Sequence, residues 1–516
     1  MTTRVPAVSR QCRICGGQLS RYNRDDVCSA CSSDQEAAAR DFQPLHHSGV
    51  GRPVDEVGVV LRTWRAMTGQ SQADVARRLR MTQQNLSQIE NGRHPMSFEL
   101  RRRAAAELGI PAEDLGLSEP HGAGEPDSPE ARASQAQWRA ERRWLNQHRS
   151  ELARLTAGLY PSDHRVPSTP LIAAPGWIQA QPVELPALKL SLDERPYATA
   201  VDGSEPETKP VRPLCSAEER FARYTSAVRH LDPPRLFESR PSYRLLRTSL
   251  ATRELGFGLA AYFDKLDVSE ALGHEVAAAC LHAGRGVPTS AESLRDKLPF
   301  REVVGDPFDP RRRAIIPAVT TLTVRLRRFP AEPSFLLHWR DPAKVATAAG
   351  VYDVIPAGEF QPASVALWDR RNDFDLWRNI VREYSEELLG TPEQDGSRSA
   401  PIDYENWPLY QELEKAQERG CVVPFFLGLG LDALTLAATI LTVVVIDDDI
   451  FSRLFRKAIR YNDEGEIVAV GDGRPAEGIP FTSAAVDRLL QSEPMASPGA
   501  ACLALAWQQR DRILGA

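Results

Sequence analysis

Between residues 71 and 95 the chain reads SQADVARRLRMTQQNLSQIENGRHP, and its apolar positions fall at helical intervals twice over. Val75, Ala76 and Leu79 form the first set and Leu86 and Ile89 the second, with Arg80, Met81 and Thr82 as a short turn between them. The spacing predicts two short amphipathic helices packed across a tight corner. Ala76 falls at their crossing, where a larger side chain would hold them apart. Thr82 suits the N-cap of the second helix and Asn91-Gly92 its stop. Residues 97–108 predict a further helix that closes a small domain.

Beyond this point the pattern changes several times. Residues 121–129 turn to Gly, Pro, Glu and Ser and mark the end of the first module. Trp138, Leu145, Leu152 and Leu159 then recur every seventh residue, with Leu155 beside them. Such a stripe is either a dimer seam or a face packed on the rest of the chain; lacking a clean second apolar position, it favours packing. Residues 161–213 are Pro-rich and aperiodic and are expected to wrap the surface or stay extended. Helical patterns follow at 217–231 and 251–281, strand-like runs at 318–327, 334–340 and 352–356, a helix at 374–390, and a closing buried helix at 501–509. The apolar stretch 421–446 is long enough to cross a bilayer apart from Asp432. Pro424, Gly428, Gly430 and Asp432 interrupt it and Asp447 to Asp449 end it abruptly, so it reads as buried strands.

Subtracting the buried positions from the helix after Thr82 leaves Gln83, Gln84, Asn85, Ser87 and Gln88 exposed. Gln and Asn side chains can bond bidentately to the adenine edge in the major groove. This segment resembles the phage-repressor (Cro-type, XRE) helix-turn-helix family, and TQQNLSQIENG is close to that family's recognition helix. The resemblance spans roughly residues 57–115. It implies that Gln83, Gln84 and Gln88 read bases, that Gln72, Asn91 and Arg93 touch phosphates, and that Arg65 and Glu90 form a partly buried ion pair.

Charge supports this reading locally. The chain carries a net charge of -6, whereas residues 51–110 hold ten arginines (52, 62, 65, 77, 78, 80, 93, 101, 102, 103) against six acids (55, 56, 74, 90, 99, 107). A basic module on an acidic body implies salt-sensitive DNA affinity. At 516 residues and 42% hydrophobic content, several domains with a real core are expected. The first residues show no charged-then-apolar leader, and a cytoplasmic protein without a membrane span is expected. Four of the eight cysteines stand as Cys12-x2-Cys15 and Cys28-x2-Cys31. Four thiolates at tetrahedral reach suit a structural zinc, with a disulfide pair or redox switch as the alternative. The pattern looks like a zinc ribbon. Cys215, Cys280, Cys421 and Cys502 are scattered and read as buried reduced thiols.

One further motif carries chemistry. In FDLWRNIVREYSEELLG (374–390), a helix places Glu383, Glu386 and Glu387 on one face at i, i+3 and i+4, with Arg382 able to brace them. Crowded carboxylates repel unless a cation lies between them, and hard oxygen ligands suit magnesium. Arg382-Glu383-Tyr384-Ser385-Glu386-Glu387 looks like the core of a Nudix box, and Ile355-Pro356-Ala357-Gly358-Glu359 resembles the strand and glycine turn leading into it. That resemblance implies magnesium held on a nucleoside-linked diphosphate. The match is partial: the stretch from Gly358 to Arg382 is about ten residues longer than the family pattern, Phe374 stands at an acidic position, and the glycine after the acidic pair is displaced to Gly390. These departures bear on hydrolysis more than on fold.

The expected chain is therefore multidomain: a zinc ribbon (1–42), an all-α lambda-repressor-like DNA-binding domain (54–118), a linker helix (131–160), a Pro-rich linker (161–215) and an α+β Nudix-like body (216–516). The arrangement resembles a class of actinobacterial regulators. It implies a dimeric, sequence-specific transcription regulator that binds a double-stranded operator and senses a nucleotide-type effector. Two alternatives stand beside it: a magnesium-dependent nucleoside-diphosphate-linked hydrolase with a DNA tether, and an adaptor that recruits a protein through the zinc ribbon.

Overall fold

The computed structural model describes residues 56–91, 96–110, 115, 128–234, 237–282, 284, 286–328, 331–340, 351–391, 400–455, 465–468 and 478–515. Cys12, Cys15, Cys28, Cys31 and Arg93 lie outside the described residues.

Helices α1 (Glu56–Thr68), α2 (Gln72–Arg78), α3 (Gln83–Glu90) and α4 (Phe98–Leu108) build the N-terminal module. Each of the last three starts at a hydroxyl cap, Ser71, Thr82 and Ser97, whose side chain accepts a backbone N–H of the first turn. Their core is Leu61, Val75, Ala76, Leu79, Leu86, Ile89, Ala104 and Leu108.

Helix α5 (Pro129–Ala157) begins at Ser128, whose Oγ accepts the Ala131 N–H at 3.0 Å. Its seven-residue stripe is spent inside the chain. Leu145 and Leu152 pack with Val276, Ala277 and Cys280, and the Trp138 indole donates to the Val211 carbonyl at 3.0 Å.

The segment expected as a Pro-rich linker is woven into the body instead. It contributes β1 (Leu171–Ile172), β2 (Ile178–Glu184) and β3 (Lys189–Leu192). Short apolar pairs such as Leu171-Ile172 are enough to dock as edge strands, where proline is tolerated. After α6 (Tyr224–Leu231) come β4 (Pro241–Ser249) and β5 (Glu254–Ala261), then α7 (Tyr262–His282) and α8 (Pro299–Val304). Residues 254–261, expected to open a long helix, form the middle strand of a β3-β5-β4 sheet. ELGFGLAA is an apolar run that periodicity cannot assign, and its two glycines disfavour helix.

Next, β6 (Pro317–Arg328), β7 (Ala331–Phe335) and β10 (Ala357–Glu359), which enter the main sheet, and β8 (Leu337–Arg340) and β9 (Val351–Val354), which pair with each other in a separate small sheet, precede α9 (Asp369–Asn372) and α10 (Leu376–Glu383). Then come α11 (Pro408–Glu418), β11 (Val422–Asp432), β12 (Ala438–Asp447), α12 (Asp448–Leu454), β13 (Gly465–Val468), β14 (Ile479–Pro480), α13 (Ser483–Ser492) and α14 (Ser497–Gln508). The apolar stretch 421–446 is thus an antiparallel pair, bulged between Phe426 and Gly428. Among the described residues no helix is long and apolar enough to cross a membrane. Strand β12 runs parallel to β6 from Ala438↔Pro317 to Asp447↔Leu326, and the sheet order is β1-β11-β12-β6-β7-β14, with β10 also on β6 and β2 on β11. Helix α10 packs on β6 and β10, and α14 on β6, β9, β11 and β12. The described chain is therefore a helical module and a separate α/β region with a curled sheet. Helix α1 lies against β4 and β5, with Met67 packed on the body's core.

Candidate nucleic-acid interface

The corner between α2 and α3 is set by backbone hydrogen bonds. Leu79 N–H donates to the Val75 carbonyl at 2.9 Å and Met81 N–H to the Ala76 carbonyl at 2.9 Å. Arg80 takes φ 54°, the left-handed conformation that lets the chain reverse between them. Ala76 is buried as its place requires, but the tightest approach is elsewhere. A β-carbon on Gly58 of α1 would collide with the Ile89 carbonyl oxygen of α3. Gly58 is a residue the helical pattern gave no reason to single out.

Arg65 of α1 grips Glu90 at the end of α3 in a two-pronged ion pair, Nε to Oε1 at 2.7 Å and Nη2 to Oε2 at 2.9 Å. Glu90 is 1% exposed. Gln72, read as a phosphate contact, donates its amide to Glu90 Oε2 at 2.8 Å, so this side chain joins the base of α2 to α3. Asn91 is exposed and its amide donates to the Ser87 carbonyl at 2.7 Å, closing the last turn.

With the inner face of α3 spent on Leu86, Ile89 and Glu90, the outer face carries Gln83, Gln84 and Asn85, all exposed, and Ser87 and Gln88, half-buried. Thr82 Oγ1 accepts the Asn85 N–H at 3.2 Å and starts the helix just before these amides. The first turn of α3 has no acidic side chain, which leaves its positive dipole end open to a phosphate. Several arginines serve as braces. Arg78 stacks over Trp64, Arg103 donates to the Leu79 carbonyl at 3.1 Å, and Arg101 to the Met96 carbonyl at 2.9 Å.

The second set of candidates lies at the end of α10. The helix gives way to a single π-helical turn, Tyr384–Leu388, so the expected regular helix is widened where the glutamates stand. Glu383 lies over Gly358 of β10, where a β-carbon would strike its carboxylate, and Glu387 accepts the Ala357 N–H at 2.9 Å. Both thus meet β10, while Glu386 is half-buried. Arg382 is buried and donates to the Gln361 carbonyl at 2.7 Å and Asn379 Oδ1 at 3.2 Å. Burial opposes its charge, but the nearby Asp373, Glu383 and Glu386 carboxylates outweigh that and raise its pKa. Among the described residues no three His, Cys, Asp or Glu side chains converge into a metal-holding group.

Sequence reasoning missed a buried polar chain between α5 and α7. Tyr224 Oη lies 2.9 Å from His274 Nδ1, and His274 Nε2 lies 2.8 Å from Glu141 Oε2. Alongside, Arg142 and Arg149 both reach Glu270. Helix α7 is buried on most of its sides between its ends, so its ionisable positions show no amphipathic period.

A family model described as a helix-turn-helix domain matches residues 56–116. No curated protein matches the chain. The match and the α2-corner-α3 geometry together define a helix-turn-helix DNA-binding domain of the kind regulators carry.

Proposed function

We propose that the chain is a sequence-specific transcription regulator whose α3 reads an operator in the major groove, working as a homodimer. The observation that carries this reading is the amide row Gln83, Gln84, Asn85 and Gln88, held outward while Arg65, Gln72 and Glu90 lock the helix from behind. One such helix reads only a few base pairs, and two related by a two-fold axis supply useful selectivity. Because the α5 stripe is occupied by the body, the dimer contact lies on another surface. The Cro-type resemblance adds Asn91 and Arg93 as phosphate contacts.

We further read the body as Nudix-like and as the sensor of a nucleotide-type ligand. Support comes from a mixed sheet covered by α10 and α14, with Glu383 and Glu387 gathered on β10. The carboxylates there do not converge on one point, Glu387 already accepts a backbone N–H and Glu359 is paired with Lys265, which favours sensing over magnesium-dependent turnover. The hydrolase reading predicts magnesium-dependent turnover of nucleoside diphosphate compounds that disappears in Glu386→Gln and Glu387→Gln. Cys12, Cys15, Cys28 and Cys31 are assigned to a structural zinc. Deleting residues 1–42 tests the adaptor reading, which requires regulation to vanish while DNA binding persists.

The deciding experiment recovers genomic fragments bound by the full-length protein at physiological salt, beside a Gln83→Ala/Gln84→Ala control. Enrichment of a two-fold symmetric site, absent from the control, is the expected result. Identical enrichment in the control would remove α3 as the reader.

A further inference from the structure

A cavity of about 370 Å³, within the range of small-molecule sites, lies beside α7, enclosed by Glu141 of α5, the turn at 206–211 and the start of α8. Its wall is largely apolar, built from Val211, Ala278 and Ala279. Three carboxylates line it, Glu141, Glu207 and Glu275, against His282 and Lys297. These charges are not equally satisfied. His282 Nε2 lies 2.8 Å from Glu141 Oε1, and Glu141 also meets His274. Lys297 is exposed, at the mouth.

Glu275 differs. It is 7% exposed and, among the described residues, accepts only backbone N–H groups, from Phe300 at 2.6 Å and Arg301 at 3.2 Å. The Arg301 guanidinium turns away to Tyr160 and to the carbonyls of Ala433 and Leu434. Burial pushes the Glu275 carboxyl up to about 7, against the pull of Arg301 and with the push of Glu302. Both oxygens are thus hydrogen-bonded to the first turn of α8, but among the described residues no side-chain cation donates to this buried carboxylate, and a cationic ligand in the apolar-walled cavity can bring that countercharge.

We propose that this cavity binds a small primary organic amine, its ammonium on Glu275 and its hydrocarbon body along Val211, Ala278 and Ala279. The site lies apart from the carboxylates of β10 and α10 and does not rest on the DNA-binding reading. Because α5 is one of its walls, an occupant ties the helix that follows the DNA module to α7.

Calorimetric titration of the full-length protein with n-butylamine, at a pH about one unit above the Glu275 value, tests it, with butyrate and butanol as controls. Saturable binding of the amine alone is expected. Glu275→Gln should weaken it at least about tenfold, since the ammonium loses its countercharge. Ala279→Trp should abolish it by filling the cavity, and Lys297→Glu at the exposed mouth should tighten it several-fold. Circular dichroism checks that each variant is folded; should Glu275→Gln not fold, the other two variants decide. No saturable heat with butylamine, tighter binding of butyrate, or amine binding unchanged in Ala279→Trp would each overturn the proposal.

Discussion

Arg80 shows how one residue can carry strain for the sake of a corner. A side chain at φ 54° costs about 1–2 kcal/mol relative to the right-handed regions, whereas glycine takes this conformation without that penalty. Arg80→Gly should therefore stabilise the module by up to about 1 kcal/mol after the larger unfolded-state entropy of glycine is subtracted. Hydrogen exchange of the α2 and α3 amides in the full-length protein measures it, and faster exchange in the variant would contradict the strain argument. The Arg65–Glu90 pair predicts the opposite sign. Arg65→Ala strips the ionic partner of a nearly fully buried carboxylate, leaving the Gln72 amide, and should cost about 3–5 kcal/mol, enough to open the module. Retained protection of α3 in that variant would show that Gln72 alone suffices.

Among the elements, the posture of α3 depends on how closely the helices approach. Gly58→Ala places a methyl group against the Ile89 carbonyl, and the backbone has no flexible end that can yield. The expected loss is about 1–3 kcal/mol of module stability and weaker DNA binding on every sequence, because the posture of α3 changes rather than its reading face. Near-normal affinity in Gly58→Ala would refute the close crossing.

The same elements show what the pattern of residues could and could not disclose. Helices α2 and α3 were legible because each shows a short apolar period on either side of a turn, with a cap at Thr82 and a stop at Asn91-Gly92 for the second, and the outward amides follow once the buried positions are removed. Strand β5 was not, because ELGFGLAA is apolar on both faces and only its place between β3 and β4 decides its form. Gly58 and the second role of Gln72 were hidden for another reason. Both act across a distance in sequence, toward Ile89 and Glu90, that no local period reports. The stripe of Trp138, Leu145 and Leu152 was visible, but whether it meets another copy or its own body is a question of partner, answered by α7 and Val211.

For the molecule as a whole, α5 and α7 form a buried polar spine whose titration should be felt in stability. Burial pushes Asp267 up to about 7 while its Oδ1 accepts the Thr225 N–H at 2.8 Å. A carboxyl whose folded pKa lies above its unfolded value binds more protons when folded, so its contribution is complete below the unfolded pKa of about 4 and is lost as pH rises toward 7. His274, lowered by burial, acts in the reverse sense, so the informative quantity is a difference. The melting temperature of Asp267→Asn relative to the unaltered protein should rise steadily between those two values and level off above them. A constant difference across that window would mean Asp267 does not change protonation on folding.

If Gln84 and its neighbours on α3 read bases, Gln84→Ala should discriminate between duplexes. Fluorescence anisotropy titration of the unaltered protein and Gln84→Ala, on the recovered operator and on the same duplex with its contacted base pairs exchanged, decides this. The expected loss is about 1–3 kcal/mol on the operator and almost none on the exchanged duplex. An equal loss on both duplexes, or none on either, would contradict it.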